Sequence, residues 1–286
     1  MTNRVLILGA SGLFGMRAAE AFSAAGWQVS KYKRGSDMAA AAKGMDVIVN
    51  GLNPPNYHAW ARLIPQITAQ VLGAAKASGA TVIVPGNVYV YGDQEGPWGP
   101  TTPHHSASRK GAVRAEMEEQ YRTSGVQTIV LRGGDFLDPT SDKTVLAMVS
   151  LKSLAKGKIE TLGDPSVSRS YAYLPDMARA AVELAERRDT LPQFTDVPFA
   201  GVDFTMDMFK AGLERFGSKS LKMIHFPWII FKIAAPFWEL AREMLEMRYL
   251  YDTAHSLDPA PMVALLPEFQ VTSIDEILQE QLSQFG

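Results

Sequence analysis

Apolar positions in the first half of the chain fall in short unbroken runs of strand length, at residues 4–9 (RVLILG), 27–31 (WQVSK), 46–50 (DVIVN), 81–84 (TVIV) and 127–132 (QTIVLR). The runs do not alternate with polar positions, which suits strands buried on both faces of a sheet. Between them, residues 12–25, 56–78 and 106–124 carry helical patterns. Strand and helix in repetition predict an α/β fold: a doubly wound parallel sheet with right-handed crossovers. Pro65 should kink or split the second of these helices, because it lacks an N–H and its ring clashes with the preceding turn.

The second half has a different rhythm. Residues 176–187 (DMARAAVELAER) predict a helix whose acidic start and basic end complement its dipole. Residues 194–199, 208–215 and 222–226 predict strand, helix and strand, and the alanine run at 39–42 predicts part of a helix. Ser273 and Glu276 have capping-box spacing and open a terminal helix over 273–282. Pro192 and Gly201 bracket an interleaved boundary, with a larger domain expected at 1–192 and a smaller, mixed one at 193–286. The stretch 226–245 (FPWIIFKIAAPFWELAREML) is too often interrupted by charge and proline for a membrane span. It reads as a buried helix or pocket wall, and the longer aromatic and Met-rich stretch 226–251 as core, oligomer contact or apolar lid.

Composition narrows the chemistry. The 286 residues carry 28 Lys and Arg against 30 Asp and Glu, a net charge of −2, and no cysteine. Disulfides, iron–sulfur clusters, thiolate zinc sites and cysteine nucleophiles are thereby excluded. The near balance of charge argues against a nucleic-acid partner. The N-terminal residues show no basic and apolar signal segment, so a cytoplasmic location without membrane contact is expected. Adjacent His104 and His105 and the scattered His58, His225 and His255 lack metal-ligand spacing, so no metal is expected. Neither a G-x-S-x-G elbow nor a lysine-bearing P-loop occurs.

The first strand runs directly into Gly9-Ala10-Ser11-Gly12-Leu13-Phe14-Gly15 and then a helix. Glycines at this spacing permit a tight turn, a close backbone approach to a pyrophosphate, and close packing of helix on strand. The free N–H groups at the helix start then face the phosphates. The second strand ends in Lys31-Tyr32-Lys33-Arg34, with no carboxylate before Asp37. Lys31 and Arg34 there suit a ribose 2′-phosphate, so NADP is the expected cofactor, with NAD the alternative.

In these features the chain resembles the extended and atypical branches of the short-chain dehydrogenase/reductase superfamily, which include NAD(P)-dependent epimerases and dehydratases. The other landmarks are Val90-Tyr91-Gly92, residues 131–139 (LRGGDFLDP), residues 171–176 (YAYLPD) and the terminal helix. The resemblance implies a Rossmann domain that binds NADP, a smaller substrate domain, and catalysis by Ser or Thr with a Tyr-x-x-x-Lys pair. The pair is missing here. If Lys110 takes the lysine position, Ser106 stands in place of Tyr; alignment on Ala115-Glu116 instead pairs Ser108 with Ala112. Asn87 is the nearest polar substitute for the family's serine.

The candidate catalytic residues are therefore Lys110, Asn87, Ser106 and Tyr91, with Tyr89, His104 and His105 as further proton carriers; Lys110 is also the expected contact for the cofactor's nicotinamide ribose, beside Gly9, Ser11, Gly12, Leu13, Phe14, Gly15, Lys31 and Arg34. Asp135 and Arg248 are candidates for substrate binding. Three readings stay open: an NADP(H)-dependent oxidoreductase acting on a small carbonyl or alcohol, a sugar-nucleotide epimerase or dehydratase holding NAD, and a non-catalytic dinucleotide sensor. In each the partner is a small molecule and the chain a monomer or homodimer.

Overall fold

The structure, a computed structural model, describes residues 2–286; Met1, where the expected first domain begins, lies outside the described residues. Strands β1 (Arg4–Leu8), β2 (Gln28–Lys31), β3 (Val47–Asn50), β4 (Thr81–Gly86) and β5 (Thr128–Arg132) lie parallel. They alternate with α1 (Leu13–Ala24), α2 (Met38–Ala42), α3 (Trp60–Ser78) and α4 (Arg109–Thr123). Beyond them come β6 (Asp135–Leu137), β7 (Lys158–Thr161), β8 (Arg169–Tyr173) and α5 (Leu174–Glu186). The chain continues through β9 (Phe194–Pro198), β10 (Val202–Phe204), α6 (Met206–Gly217) and β11 (Lys222–His225). Helices α7 (Trp228–Ala234), α8 (Glu239–Met247), α9 (Ala260–Leu265) and α10 (Ile274–Phe285) complete it.

The main sheet has the order β2-β1-β3-β4-β5-β9. Its unbroken apolar runs reflect burial on both faces. Val5 and Ile7 pack with Phe14, Phe22 and α5, while Leu6 and Leu8 pack with Ile64, Val71 and Tyr121 on the other side. The division expected between residues 192 and 193 falls before β9, the sixth strand of this sheet, so the chain crosses between the two layers more than once. The smaller layer joins β10-β8-β6 and β11-β7 to a core in which Tyr171 and Phe204 stack at 3.8 Å. Ser273 forms the anticipated capping box with Glu276.

Two expectations are corrected. Pro65 does not split its helix; α3 runs on through it from Trp60, and the break falls earlier, where Asn56, Tyr57 and Ala59 take φ of 53°, 60° and 48°. Residues 226–245 are not a buried helix. Trp228 and Ala241 are buried, but Ile229, Ile233 and Phe237 are 64%, 72% and 94% exposed.

Arg132, at the end of β5, is completely buried and all its N–H groups are used. Nη1 donates to the Asn87 carbonyl (2.6 Å) and Glu118 Oε1 (3.0 Å), and Nη2 to Glu118 Oε2 and Asp196 Oδ2 (both 2.7 Å). Nε donates to Asp196 Oδ1 at 3.2 Å. Burial opposes the charge, and the two carboxylates outweigh it and keep Arg132 protonated. β5, α4, β9 and the loop after β4 thus meet on one guanidinium. Replacing Glu118 with Ala leaves a buried cation half-paired, and the expected loss in urea or thermal unfolding is about 3–5 kcal/mol.

Candidate active site

The loop after β1 is built backbone on backbone. Gly9 has a φ of +76°, and a Cβ there would stand 2.6 Å from the Gly51 carbonyl oxygen. A Cβ on Gly15 would collide with the Gly9 carbonyl, and Gly12 N–H donates to that carbonyl at 2.9 Å. Gly12 caps α1 without a side-chain partner, which leaves the helix N-terminus to an anion. Gly9, Ala10 and Ser11 line a cavity of about 520 Å³ together with Lys31, Tyr32, Arg34 and Leu52. Leu13 and Phe14 turn away from it into the core. A second cavity of about 810 Å³ shares Tyr32, Arg34 and Leu52 and runs on between Pro54, Ile67 and Gln70. Asp37 also lines this second cavity, and its carboxylate caps α2, accepting from Ala39 and Ala40 N–H. A cradle shaped by absent side chains, with cations at its rim, fits a nicotinamide dinucleotide.

The helix expected over 106–124 begins at Arg109, capped by Ser108, whose Oγ accepts from Gly111 N–H at 3.0 Å. Ser106 therefore precedes the helix and reaches only the Val90 carbonyl, at 3.5 Å. Neither serine register places its pair on a helix face. The sheet-facing stripe of α4 instead carries Lys110, Arg114 and Glu118 at four-residue spacing. Arg114 is one of the residues that the sequence reading missed, with Tyr57, Arg169, Glu243 and Glu246; its i+4 distance from Lys110 signals it. It donates to the Pro85 carbonyl at 2.9 Å, and its buried Nε has no partner among the described residues. Burial pushes Arg114 below its ordinary value, with Glu118 counteracting.

Lys110 is buried and held from the C-terminal half. Its Nζ meets Glu243 and, at 3.0 Å, Glu246 Oε2, while its backbone N–H donates to Glu246 Oε1 at 3.0 Å. Arg109 shares Glu246 at 2.9 Å. The ammonium also lies 5.0 Å from the centre of the Tyr57 ring. Tyr57 rides on the left-handed turn before α3, and its hydroxyl meets that of Tyr89 at 3.1 Å. Burial raises both phenols above the ordinary value, and the charge of Asp135 raises them further. Asp135 pairs with Arg169 at 2.7 Å, and the Arg169 guanidinium stacks over Tyr171 and Tyr251. Tyr57, Tyr89, Tyr251 and Asp135 thus gather within electrostatic reach of one another beyond the ends of β3, β4 and β5.

The remaining candidates are dispersed. Tyr91, proposed from sequence as catalytic, is fully buried against Trp98, with rings 5.1 Å apart, and its hydroxyl donates to the Gly99 carbonyl at 3.2 Å. Burial drives its phenol up, as it does those of Tyr57 and Tyr89, and its ring packs on Trp98 and beneath the Arg132 guanidinium. Asn87 accepts from Tyr89 N–H through Oδ1 at 3.1 Å, and its Nδ2 has no partner among the described residues. Arg248 lies over the Trp228 ring, with no carboxylate within 4.0 Å among the described residues. Burial lowers His104 despite nearby Glu118, while His105 packs through its backbone against Gly92. No His, Asp and Glu group among the described residues is arranged to hold a metal ion.

A family model, that of the NAD dependent epimerase/dehydratase family, matches residues 55–197, half of the chain. Solved structures share the fold at low identity. The complex of MoeE5 with UDP-glucose and NAD has a TM-score of 0.78 at 14% identity, covering 99% of this chain and 98% of its own. UDP-glucuronic acid 4-epimerase from Bacillus cereus in complex with NAD gives 0.77 at 15%, covering 99% and 96%. RMD from Pseudomonas aeruginosa complexed with NADPH gives 0.75 at 18%, covering 99% of each chain. No curated protein matches the sequence.

The clamp on Lys110 makes stability pH-dependent. Burial pushes the Glu246 carboxyl up, but hydrogen bonds from Lys110 outweigh this and hold it below the ordinary 4.5. Its stabilisation is complete above that value and lost as pH falls through the depressed one. Glu246→Gln should therefore melt earlier than the wild type at neutral pH, with the gap closing on acidification below 4.5.

Proposed function

The chain belongs to the NAD dependent epimerase/dehydratase family, and from that premise we propose that it is an NADP(H)-dependent oxidoreductase acting on a small carbonyl or alcohol. The observation that carries the cofactor choice is the cavity at the glycine loop, where Lys31 and Arg34 are lining residues and no carboxylate is. A 2′-phosphate is favoured by such a rim and a bare ribose gains little from it. Gly9, Ser11, Gly12 and Gly15 would hold the pyrophosphate, with Leu13 and Phe14 fixing the start of α1. Bound there, a nicotinamide supplies or accepts hydride.

The residues of the cleft divide the remaining work. The Lys110 ammonium, beneath the Tyr57 ring, would reach the nicotinamide ribose, and Asn87 Nδ2 would donate to a substrate oxygen. The Tyr57–Tyr89 pair stays protonated through neutral pH because burial raises both phenols. A protonated phenol can protonate the alkoxide that hydride transfer to a carbonyl forms, and the same group takes that proton back when the reaction runs the other way. Asp135 would accept from a substrate hydroxyl, and Arg248 would meet an anionic group.

A second reading, a sugar-nucleotide epimerase or dehydratase, draws support from similar structures that bind NAD, one of them with UDP-glucose. Purified protein carrying tightly held NAD would favour it. The two are separated by cofactor titration. NADPH should bind more tightly than NADH, and Lys31→Ala with Arg34→Ala should weaken NADPH about 10–100-fold while leaving NADH nearly unchanged. Equal or tighter NADH binding by the wild type removes the assignment. With NADPH and a panel of small carbonyls, Tyr57→Phe should lower kcat about 100-fold at unchanged NADPH affinity.

A further inference from the structure

The first turn of α4 holds two cations and no acid, since the helix opens with Arg109 and Lys110. Cations there stand against the positive end of the helix dipole, and the first backbone N–H groups have no intrahelical acceptor. Both demands are met from the other half of the chain. Glu246 Oε1 accepts the Lys110 backbone N–H at 3.0 Å. Its Oε2 accepts from Lys110 Nζ at 3.0 Å and from Arg109 Nη2 at 2.9 Å. Glu243, three residues earlier on α8, meets the same ammonium.

Glu246 therefore grips Lys110 at both ends of the residue. A lysine is a point charge on a flexible four-carbon stem with three rotatable donors, and tying its backbone and its ammonium to one carboxylate removes much of that freedom. Glu243 and Glu246 take two of the three ammonium N–H groups. No third acceptor lies within hydrogen-bond distance among the described residues, and the ammonium stands 5.0 Å from the centre of the Tyr57 ring. α8 is itself firmly seated. Ala241 and Met247 are buried, and Met247 packs with Val88, Val90 and Tyr91 of the loop after β4. At the start of α8, Glu239 meets His58, in the turn that carries Tyr57, at 2.9 Å. Glu239, Glu243 and Glu246 share one helix face by their spacing.

We propose, on the reading of Lys110 as the ribose contact, that Glu246 and Glu243 are positioning residues for the cofactor: together they aim the third N–H of the Lys110 ammonium at the nicotinamide ribose. A ribose hydroxyl is a weaker acceptor than a carboxylate, so it takes the N–H left over and leaves the clamp in place. The two carboxylates act only through Lys110. The C-terminal half thereby completes the cofactor site, and the hold of the larger domain on a dinucleotide depends on a side chain 136 residues further along the sequence.

The test is calorimetric titration of the full chain with two ligands. NADPH spans the site, whereas adenosine 2′,5′-bisphosphate carries the 2′-phosphate and stops short of the nicotinamide ribose. Glu246→Gln and, separately, Glu243→Gln keep side-chain size and remove the charge. With circular dichroism unchanged, each should weaken NADPH about tenfold and leave the bisphosphate within about twofold of the wild type. Lys110→Met should lose as much, and Glu246→Gln added to Lys110→Met should produce no further loss, because groups that act through one another are not additive. A helix merely tied down by these carboxylates would shift both ligands together or neither. Wild-type NADPH affinity in both Glu variants, or equal loss of the bisphosphate, would overturn the proposal while Lys110→Met still binds NADPH weakly. So would tighter NADPH binding by the Glu variants, which is the result if the carboxylates compete with the ribose. Absence of NADPH binding by the wild type, or wild-type binding by Lys110→Met, removes the ribose contact itself and the proposal with it.

Discussion

The guanidinium of Arg132 is the constraint on which the working end of the molecule depends. A buried cation must satisfy every N–H it carries, and Arg132 does so with groups from α4, β9 and the loop after β4. Glu118 is thereby pinned to the sheet, and a helix pinned at one residue has its rotation decided along its whole length. Four and eight positions back on the same stripe stand Arg114 and Lys110. Their burial at the mouth of the sheet follows from an ion pair two turns away. The Asn87 carbonyl is held by the same group, so the loop that carries Asn87 and Tyr89 is indexed to the helix it faces.

Much of this fold was legible in the chain because its physics is local. A run such as Val5 to Leu8, apolar at every position, has one explanation in a protein of this size, and the two cores packed on its two sides provide it. The glycine loop was legible for a similar reason, since glycines spaced between strand and helix have few other uses. The register of α4 was not. Ser108 and Ser106 are equally good helix caps by composition, and only the tertiary pairing of Glu118 with Arg132 selects the face that points inward. Residues 226–245 misled for the opposite reason: apolar content predicts burial, but nothing in a sequence records that there is no layer left to cover the helix.

The least legible element is the turn that carries Tyr57. Asn56, Tyr57 and Ala59 adopt left-handed backbone without a glycine among them, and residues of that kind pay about 1–2 kcal/mol each for it. Such conformations persist only where surrounding contacts impose them, and they gather at functional sites. Here the surrounding contacts are the Tyr89 hydroxyl, the Trp60 ring at 5.1 Å and the link from His58 to Glu239 at 2.9 Å. The last of these comes from α8, the helix that also clamps Lys110. One helix of the C-terminal half therefore shapes both the phenol and the ammonium of a cleft whose floor belongs to the sheet. The reacting groups are assembled across the two layers.

The contact between Gly9, Gly15 and Gly51 has a bearing on how this chain can change over time. At each of the three positions the atom in the way of a Cβ belongs to main chain: the Gly51 carbonyl for Gly9, the Gly9 carbonyl for Gly15, and the Leu8 carbonyl at 2.9 Å for Gly51. A clash with a side chain can be relieved by shortening that side chain elsewhere. A clash with backbone has no such remedy, and no second-site substitution can restore the loop. These three positions consequently offer no compensated path of drift, however far the surrounding helices and strands diverge. Solved structures share this fold at 12–18% identity, and a knot of this kind is one way in which an architecture can stay rigid at a point while the residues around it change.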